Sequence, residues 1–239
     1  MMAIVEWKKE ETVAVLTMNN GENRFNPAFN EAMLKTFDEI EKDAGIHSVV
    51  IHSSDAKNWS LGIDLNWMME HIQMGDEEGI KDFIYGANDV FKRILLFPTP
   101  VIAAINGHAF GDGSILACAC DFRFMKSDRG FFCFPEVDID IPFLPSMIAQ
   151  IKKAFPTYKM EEAIFTGKRM VAKELEESKV ITKACKDEAD LMAEAKAFAA
   201  TFQKKRGIFG ELKKRMNQHI IDLMQTADPP YIDNLKLTS

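Results

Sequence analysis

The chain is poor in cysteine: four in 239 residues, Cys118, Cys120, Cys133 and Cys185, with no Cys-x-x-Cys pair. That excludes a zinc knuckle and a disulfide framework, and it leaves the thiols as small packing groups. Histidine is as sparse. His47, His52, His71, His108 and His219 show no spacing of ligand pairs, so no metal is expected. No apolar run approaches the ~20 residues that span a bilayer, and the first residues, Met1 to Trp7, carry no signal-peptide pattern. Basic residues number 29 against 36 acidic, for a net charge of −7, and they form no stripe, which argues against nucleic acid. These absences predict a cytoplasmic protein with neither a membrane nor a nucleic-acid partner.

Several catalytic signatures are missing too. No Gly-Lys-Ser/Thr follows the glycine turn Gly111-Asp112-Gly113, so it is not a phosphate-binding loop. Its spacing is not that of a dinucleotide fingerprint, and the expected acidic residue downstream is absent. Ser114 does not sit in a Gly-x-Ser-x-Gly elbow. There is no internal repeat of ~20–50 residues and no low-complexity stretch.

What is present is a 47% apolar chain, enough for one large domain. Val5 to Glu10 and Thr12 to Met18 read as a hairpin turning at Glu10-Glu11. Pro27 suits the first turn of a helix running to about Ala44, with Phe29, Met33, Leu34, Phe37 and Ile40 at helical spacing. Ser48 to His52, Val101 to Ile105 and Phe122 to Met125 read as buried strands. A long helix from Asp76 ends before Pro98 and Pro100. Beyond Pro145 the chain is mostly helical, with a last short strand expected at Val180 to Lys183. The fold class is therefore α/β: a core over residues 1–185 and a C-terminal helical region over 186–239.

Three stretches carry candidate chemistry. The central one, Ile102 to Asp121, is a strand, a glycine turn and a buried helix. The amides that open such a helix lack internal partners and can face a negative oxygen. Ser60-Leu61-Gly62-Ile63-Asp64-Leu65 places a glycine before a helix start, with Asp64 as cap; by spacing alone it reads first as an ordinary loop-to-helix cap. Glu136 follows Pro135 directly after an aromatic strand. Desolvation there would raise its pKa toward neutrality and suit proton transfer, although a solvated loop acid fits the same local pattern.

In order and spacing these stretches resemble the crotonase (enoyl-CoA hydratase/isomerase) family. The resemblance rests on Trp59 to Leu65, Pro100 to Gly113, Leu116 to Asp121 and Pro135 to Ile139, and it covers roughly residues 3–215. It implies a spiral of ββα units with a C-terminal helical region, assembled as homotrimers or hexamers. It implies an acyl-CoA thioester as substrate, coenzyme A being part of that substrate and no separate cofactor being needed. The backbone amides of Ile63 and Asp112 map to the oxyanion hole, where each rigid donor can contribute ~3–4 kcal/mol. Glu136 maps to the catalytic acid/base, and Ile115 stands where hydratases carry their second carboxylate. The Pro135–Ile139 stretch is closest in pattern to Δ3,Δ2-enoyl-CoA isomerases. A dienoyl-CoA isomerase would carry a further acid at Leu144.

The resemblance further implies substrate or CoA contacts at Arg24, Ser60, Gly62, Asp64, Leu65, Gly111 and Lys213, with Lys214 beside it. Met68, Met69, Ile72 and Phe83 read either as acyl-tunnel lining or as packing. Three positions depart from the pattern. Asp112 replaces a small residue and is a possible second acid, Asp140 replaces a glycine, and Pro142-Phe143-Leu144-Pro145 is bulky. The expected activity is 3-enoyl-CoA to 2-enoyl-CoA isomerisation. The alternatives are hydration, thioester or C–C hydrolysis by the same fold, and acyl-CoA binding without turnover.

Overall fold

Alternating apolar and polar residues start the chain as a ribbon. In the computed structural model, which describes residues 3–236, β1 (Val5–Glu10) and β2 (Val13–Met18) pair antiparallel. After that hairpin every pairing between strands is parallel, so each strand needs a crossover, and helices supply most of them.

The crossovers build two sheets at once. α1 (Pro27–Lys42) leads from β2 to β3 (Ser48–Ser53), and β4 (Asn58–Ser60) follows. α2 (Leu65–Met74) and α3 (Glu77–Leu96) lead to β5 (Val101–Ile105) and β6 (His108–Phe110). α4 (Asp112–Ala119) leads to β7 (Phe122–Lys126) and β8 (Phe132–Cys133), followed by a single 3-10 turn at Glu136–Asp138. The first strand of each turn of the spiral joins a six-stranded sheet of order β1-β2-β3-β5-β7-β9, and the second joins a small sheet of order β4-β6-β8. The rest is helical: α5 (Pro145–Ala154), α6 (Thr157–Thr166), α7 (Ala172–Glu177), then β9 (Lys183–Cys185), α8 (Glu188–Ala200), α9 (Arg206–Thr226) and the short α10 (Pro229–Ile232).

Both faces of the large sheet are covered, as parallel strands require. One face joins α1, α3 and α4 in the main core, with Phe25, Phe29, Phe37, Phe91 and Phe97 buried. The other packs Val13, Val15, Val50, Ile102 and Ala104 against Leu191, Ala195 and Ala199 of α8. Residues beyond 185 therefore complete the core through α8. All four cysteines are free and buried. Among the described residues no helix is long and apolar enough to cross a membrane.

Two expectations change. The last strand is Lys183–Cys185 rather than Val180 to Lys183. Val180 and Ile181 are buried in a loop whose Val180 carbonyl is taken by Arg123 Nε at 2.8 Å, and pairing with β7 starts only at Lys183. Of the small sheet only β8, the aromatic strand before Pro135, shows in the sequence; β4 and β6 are three residues long, too short to display an alternation.

Candidate active site

The β4–α2 loop is built to leave one amide free. Phe25 N donates to Gly62 O at 2.8 Å, and Asp64 N donates to Phe25 O at 2.9 Å. Gripping the Gly62 carbonyl orients the whole planar peptide, so the Ile63 N–H on its other side is aimed as well. That N–H donates to nothing among the described residues. Ser60 Oγ donates to Asn23 O at 2.7 Å, and Arg24 Nη1 donates to Ile63 O at 3.2 Å. Gly62 has φ +74°, and a Cβ on it would meet Phe110 O at 2.7 Å and Asp112 N at 3.0 Å. Glycine is required twice here, by the left-handed backbone and by the approach of a second loop.

That second loop opens α4. Gly111 N donates to Cys133 O at 3.2 Å, and Ile115 N closes the first helical turn on Gly111 O at 3.0 Å. Ser114 Oγ is shared between Ala109 O at 2.6 Å and Cys133 O at 2.9 Å, which pins the helix start to β6 and β8. The Asp112 N–H at the first helical position is left with no partner among the described residues. A Cβ on Gly113 would lie 2.3 Å from Ser60 O, so the two loops are packed backbone to backbone. Ile63 N and Asp112 N, from distant segments, are thus both without a partner among the described residues, the second at a helix N-terminus where the dipole favours negative charge.

Glu136 stands beside them. It opens the 3-10 turn after β8, and a Cβ on Gly111 would lie 3.5 Å from its Oε1. Its Oε2 is buried without a hydrogen-bond partner. Burial, with a smaller contribution from the Asp112 charge, pushes the Glu136 carboxyl up to about 8. Burial alone raises Asp112 to about 7. The positions 115 and 144 hold the apolar, buried side chains of Ile115 and Leu144, so neither adds a carboxyl. The arrangement can hold an oxyanion and exchange a proton next to it.

The other sequence-derived site residues divide. Gly62 and Gly111 line the junction. Asp64 caps α2 through Trp67 N and takes Asn26 Nδ2. Arg24 staples the loop through the Leu61 and Ile63 carbonyls and pairs with Glu22. Leu65 is half exposed beside the loop, as are Met69 and Ile72 on α2, whereas Phe83 is buried against Trp67.

Two assignments are corrected. Ser60 is fully buried with its hydroxyl committed to Asn23 O, so it shapes the loop and does not face a substrate. Lys213 is buried, ion-paired to Asp121 at 2.6 Å and bonded to Ile94 O. Its charge ties α9 to the core and is not offered to a phosphate; Lys214, its neighbour, is exposed. Sequence reasoning missed Phe25, Asn23 and Ser114. The first acts through its backbone, and the other two act through buried hydrogen bonds, none of which a linear pattern displays.

Residues 8–229 match the sequence profile of the enoyl-CoA hydratase/isomerase family. The chain belongs to that family. Among its relatives, a probable enoyl-CoA hydratase of Bacillus subtilis is 31% identical over 82% of this chain and 74% of its own. The mitochondrial Δ(3,5)-Δ(2,4)-dienoyl-CoA isomerase of Homo sapiens is 31% identical over 80% of this chain and 60% of its own. Enoyl-CoA delta isomerase 3 of Arabidopsis thaliana is 28% identical over 79% of each. An enoyl-CoA hydratase/isomerase family structure from Pseudomonas syringae superposes with a TM-score of 0.87 at 21% identity, covering 96% of this chain and 97% of that one. Together these place the chain among enoyl-CoA hydratase/isomerase enzymes with the crotonase-type α/β fold and its C-terminal helical region.

Proposed function

We propose that this family member shifts the double bond of a 3-enoyl-CoA to the 2-position, with Glu136 as acid/base. The observation that carries the reading is the buried Glu136 carboxyl beside Gly111, with apolar Ile115 one turn into α4. The thioester oxygen would sit between the Ile63 and Asp112 amides. Two fixed donors there lower the cost of placing charge on that oxygen. Glu136, as carboxylate, takes the proton from C2. The C2–H electron pair enters the C1–C2 bond and the carbonyl pair moves to oxygen, giving a dienolate. Glu136 then returns the proton at C4 and becomes a carboxylate again. A group near neutrality suits both halves of this exchange. Lys214, exposed on α9, is the cation that this reading offers to the coenzyme A phosphates, while Arg24 holds the loop that carries the Ile63 amide.

Support for assembly comes from α9, where Ile208, Leu212 and Met216 are exposed at four-residue spacing; a homotrimer or hexamer would cover them, and light scattering tests it. Four free, buried thiols suit a reducing compartment such as the cytoplasm. The decisive measurement is conversion of 3-enoyl-CoA to the conjugated 2-enoyl-CoA. Glu136→Gln is expected to slow it by about 10²–10⁴-fold, and near-full activity would refute the assignment. Release of free CoA from a saturated acyl-CoA would point to hydrolysis instead. Tight binding of an acyl-CoA panel without turnover would mark a non-catalytic member.

A further inference from the structure

Ser114, the third residue of α4, is fully buried and lines no open surface. Its hydroxyl is committed to two carbonyls on the two strands that carry the rest of the site. Ser114 Oγ lies 2.6 Å from Ala109 O in β6 and 2.9 Å from Cys133 O in β8. Among the described residues no other side chain hydrogen-bonds either carbonyl. Cys133 O also accepts Gly111 N at 3.2 Å. One carbonyl at the end of β8 therefore meets the residue before Asp112 and the residue two after it.

On the α4 side, Ile115 N donates to Gly111 O at 3.0 Å. Gripping that carbonyl orients the planar Gly111–Asp112 peptide, so it aims the Asp112 N–H on the other side. Gly111 itself sits at φ +55° and ψ −127° with no side chain to brace it. The direction of the Asp112 N–H thus depends on how firmly the first turn of α4 is anchored, and Ser114 is the side-chain anchor of that turn. On the acid side, only Phe134 and Pro135 separate Cys133 from Glu136. The Phe134 ring is fixed among Phe132, Phe143 and Phe155, and Glu136 O takes Ile139 N at 3.3 Å and Ile141 N at 3.1 Å. A stretch held this tightly passes a shift at the Cys133 carbonyl on to the carboxyl. Glu136 Oε1 ends 3.5 Å from where a Cβ on Gly111 would lie.

We propose that Ser114 is a positioning residue that sets, through the Cys133 carbonyl, the spacing between the amide that receives charge and the carboxyl that moves the proton, a role that rests on the enolate reading. The thioester oxygen and C2 belong to one small planar unit of the substrate. The donor and the base must therefore be placed correctly at the same time. Without the hydroxyl, Gly111 N still holds Cys133 O and β6 still pairs with β8, but the start of α4 is free to slip against them. Such a slip misaims the Asp112 N–H without closing the site, so it weakens the stabilisation of charge on the oxygen more than it weakens binding of the thioester.

The test has two readouts on wild type, Ser114→Ala and Ser114→Cys, with urea unfolding to establish that each is folded. The first is isotope-edited infrared spectroscopy of the ¹³C thioester carbonyl of bound butanoyl-CoA, which needs no turnover. The wild-type band is expected below that of free butanoyl-CoA, because two amides polarise the carbonyl. In Ser114→Ala about half of that displacement is expected to vanish as one donor loses its aim. The second readout is conversion of 3-enoyl-CoA, where Ser114→Ala is expected to lower kcat by about 10–10²-fold and to change KM by less than about threefold. Ser114→Cys keeps a donor on the same Cβ and is expected to fall between the other two in both readouts. A Ser114→Ala protein that unfolds more easily, yet keeps the full carbonyl displacement and the wild-type kcat, would overturn the proposal and leave the enolate reading standing. A wild-type carbonyl band that does not move on binding would overturn the paired-amide reading and the role of Ser114 with it.

Discussion

The two ends of the eight-residue helix α4 are treated in opposite ways. At the C-terminal end every carbonyl is answered. Lys153 Nζ donates to Cys118 O, Ala119 O and Cys120 O at 3.2, 3.2 and 2.8 Å. Arg123 Nη1 donates to Ala117 O and Cys120 O at 3.2 and 2.9 Å, and Lys213 holds the next residue, Asp121. At the N-terminal end the Asp112 amide has no partner among the described residues, and Glu136 Oε2 beside it is buried without one. A helix end left in this state inside a core costs free energy, and the cations at the other end offset part of it by meeting the negative pole of the dipole. One end has its hydrogen-bonding capacity filled, and the other leaves an amide and a carboxyl oxygen without partners among the described residues.

Gly62→Ala tests the open end most severely. The added methyl meets Phe110 O and Asp112 N, so it displaces one amide, and the rate of 3-enoyl-CoA conversion is expected to fall by about 10²–10³-fold. Thioester binding should weaken far less, a contrast that single-turnover kinetics would read. At the closed end, Lys153→Met leaves the Cys118 and Ala119 carbonyls unmet and Cys120 O with Arg123 alone. Urea unfolding is expected to show a loss of about 2–4 kcal/mol, and the catalytic profile of the surviving folded protein should stay close to wild type.

A pH comparison sharpens the contrast. Glu136 and Asp112 hold protons in the folded protein up to about 8 and about 7, which the unfolded chain has already released in the ordinary carboxylate range. Their contribution to stability is therefore fully present at acid pH and is lost as pH rises through those folded values. The urea midpoint should fall between about pH 5 and about pH 8, and Glu136→Gln should flatten that fall; an equal slope in the variant would contradict the burial argument. The smallest effect is expected in the loop past Glu136. Asp140 sits at φ +55°, and Asp140→Gly should raise stability by about 0.5–1 kcal/mol by relieving the left-handed backbone, with isomerisation changed less than twofold.

Much of this was legible in the chain. The hairpin, the buried strands and α3 follow from alternation, apolar runs and helix-ending prolines, because those signals are local. The glycine turn before α4 and the acid after Pro135 were also visible as motifs. What escaped was whatever depends on contacts between distant segments. Ser60 and Lys213 carry the residue types of ligand contacts, yet their polar atoms are consumed by Asn23 O and Asp121. The strands β4, β6 and β8 are two or three residues long, and they exist only because each turn of the spiral lays the next beside them.

Residue order and periodicity are enough to give the α/β class and the family, and they put one acid directly after Pro135. The folded chain settles that Gly62 and Asp112 meet backbone to backbone, that Ile63 N and Asp112 N have no partner among the described residues, and that Glu136 is buried against Gly111. The physical reason is that protonation and hydrogen-bonding state depend on what surrounds a group in space. Asp112 and Glu136 are separated by 24 positions along the chain, and the β6–β8 pairing closes that separation.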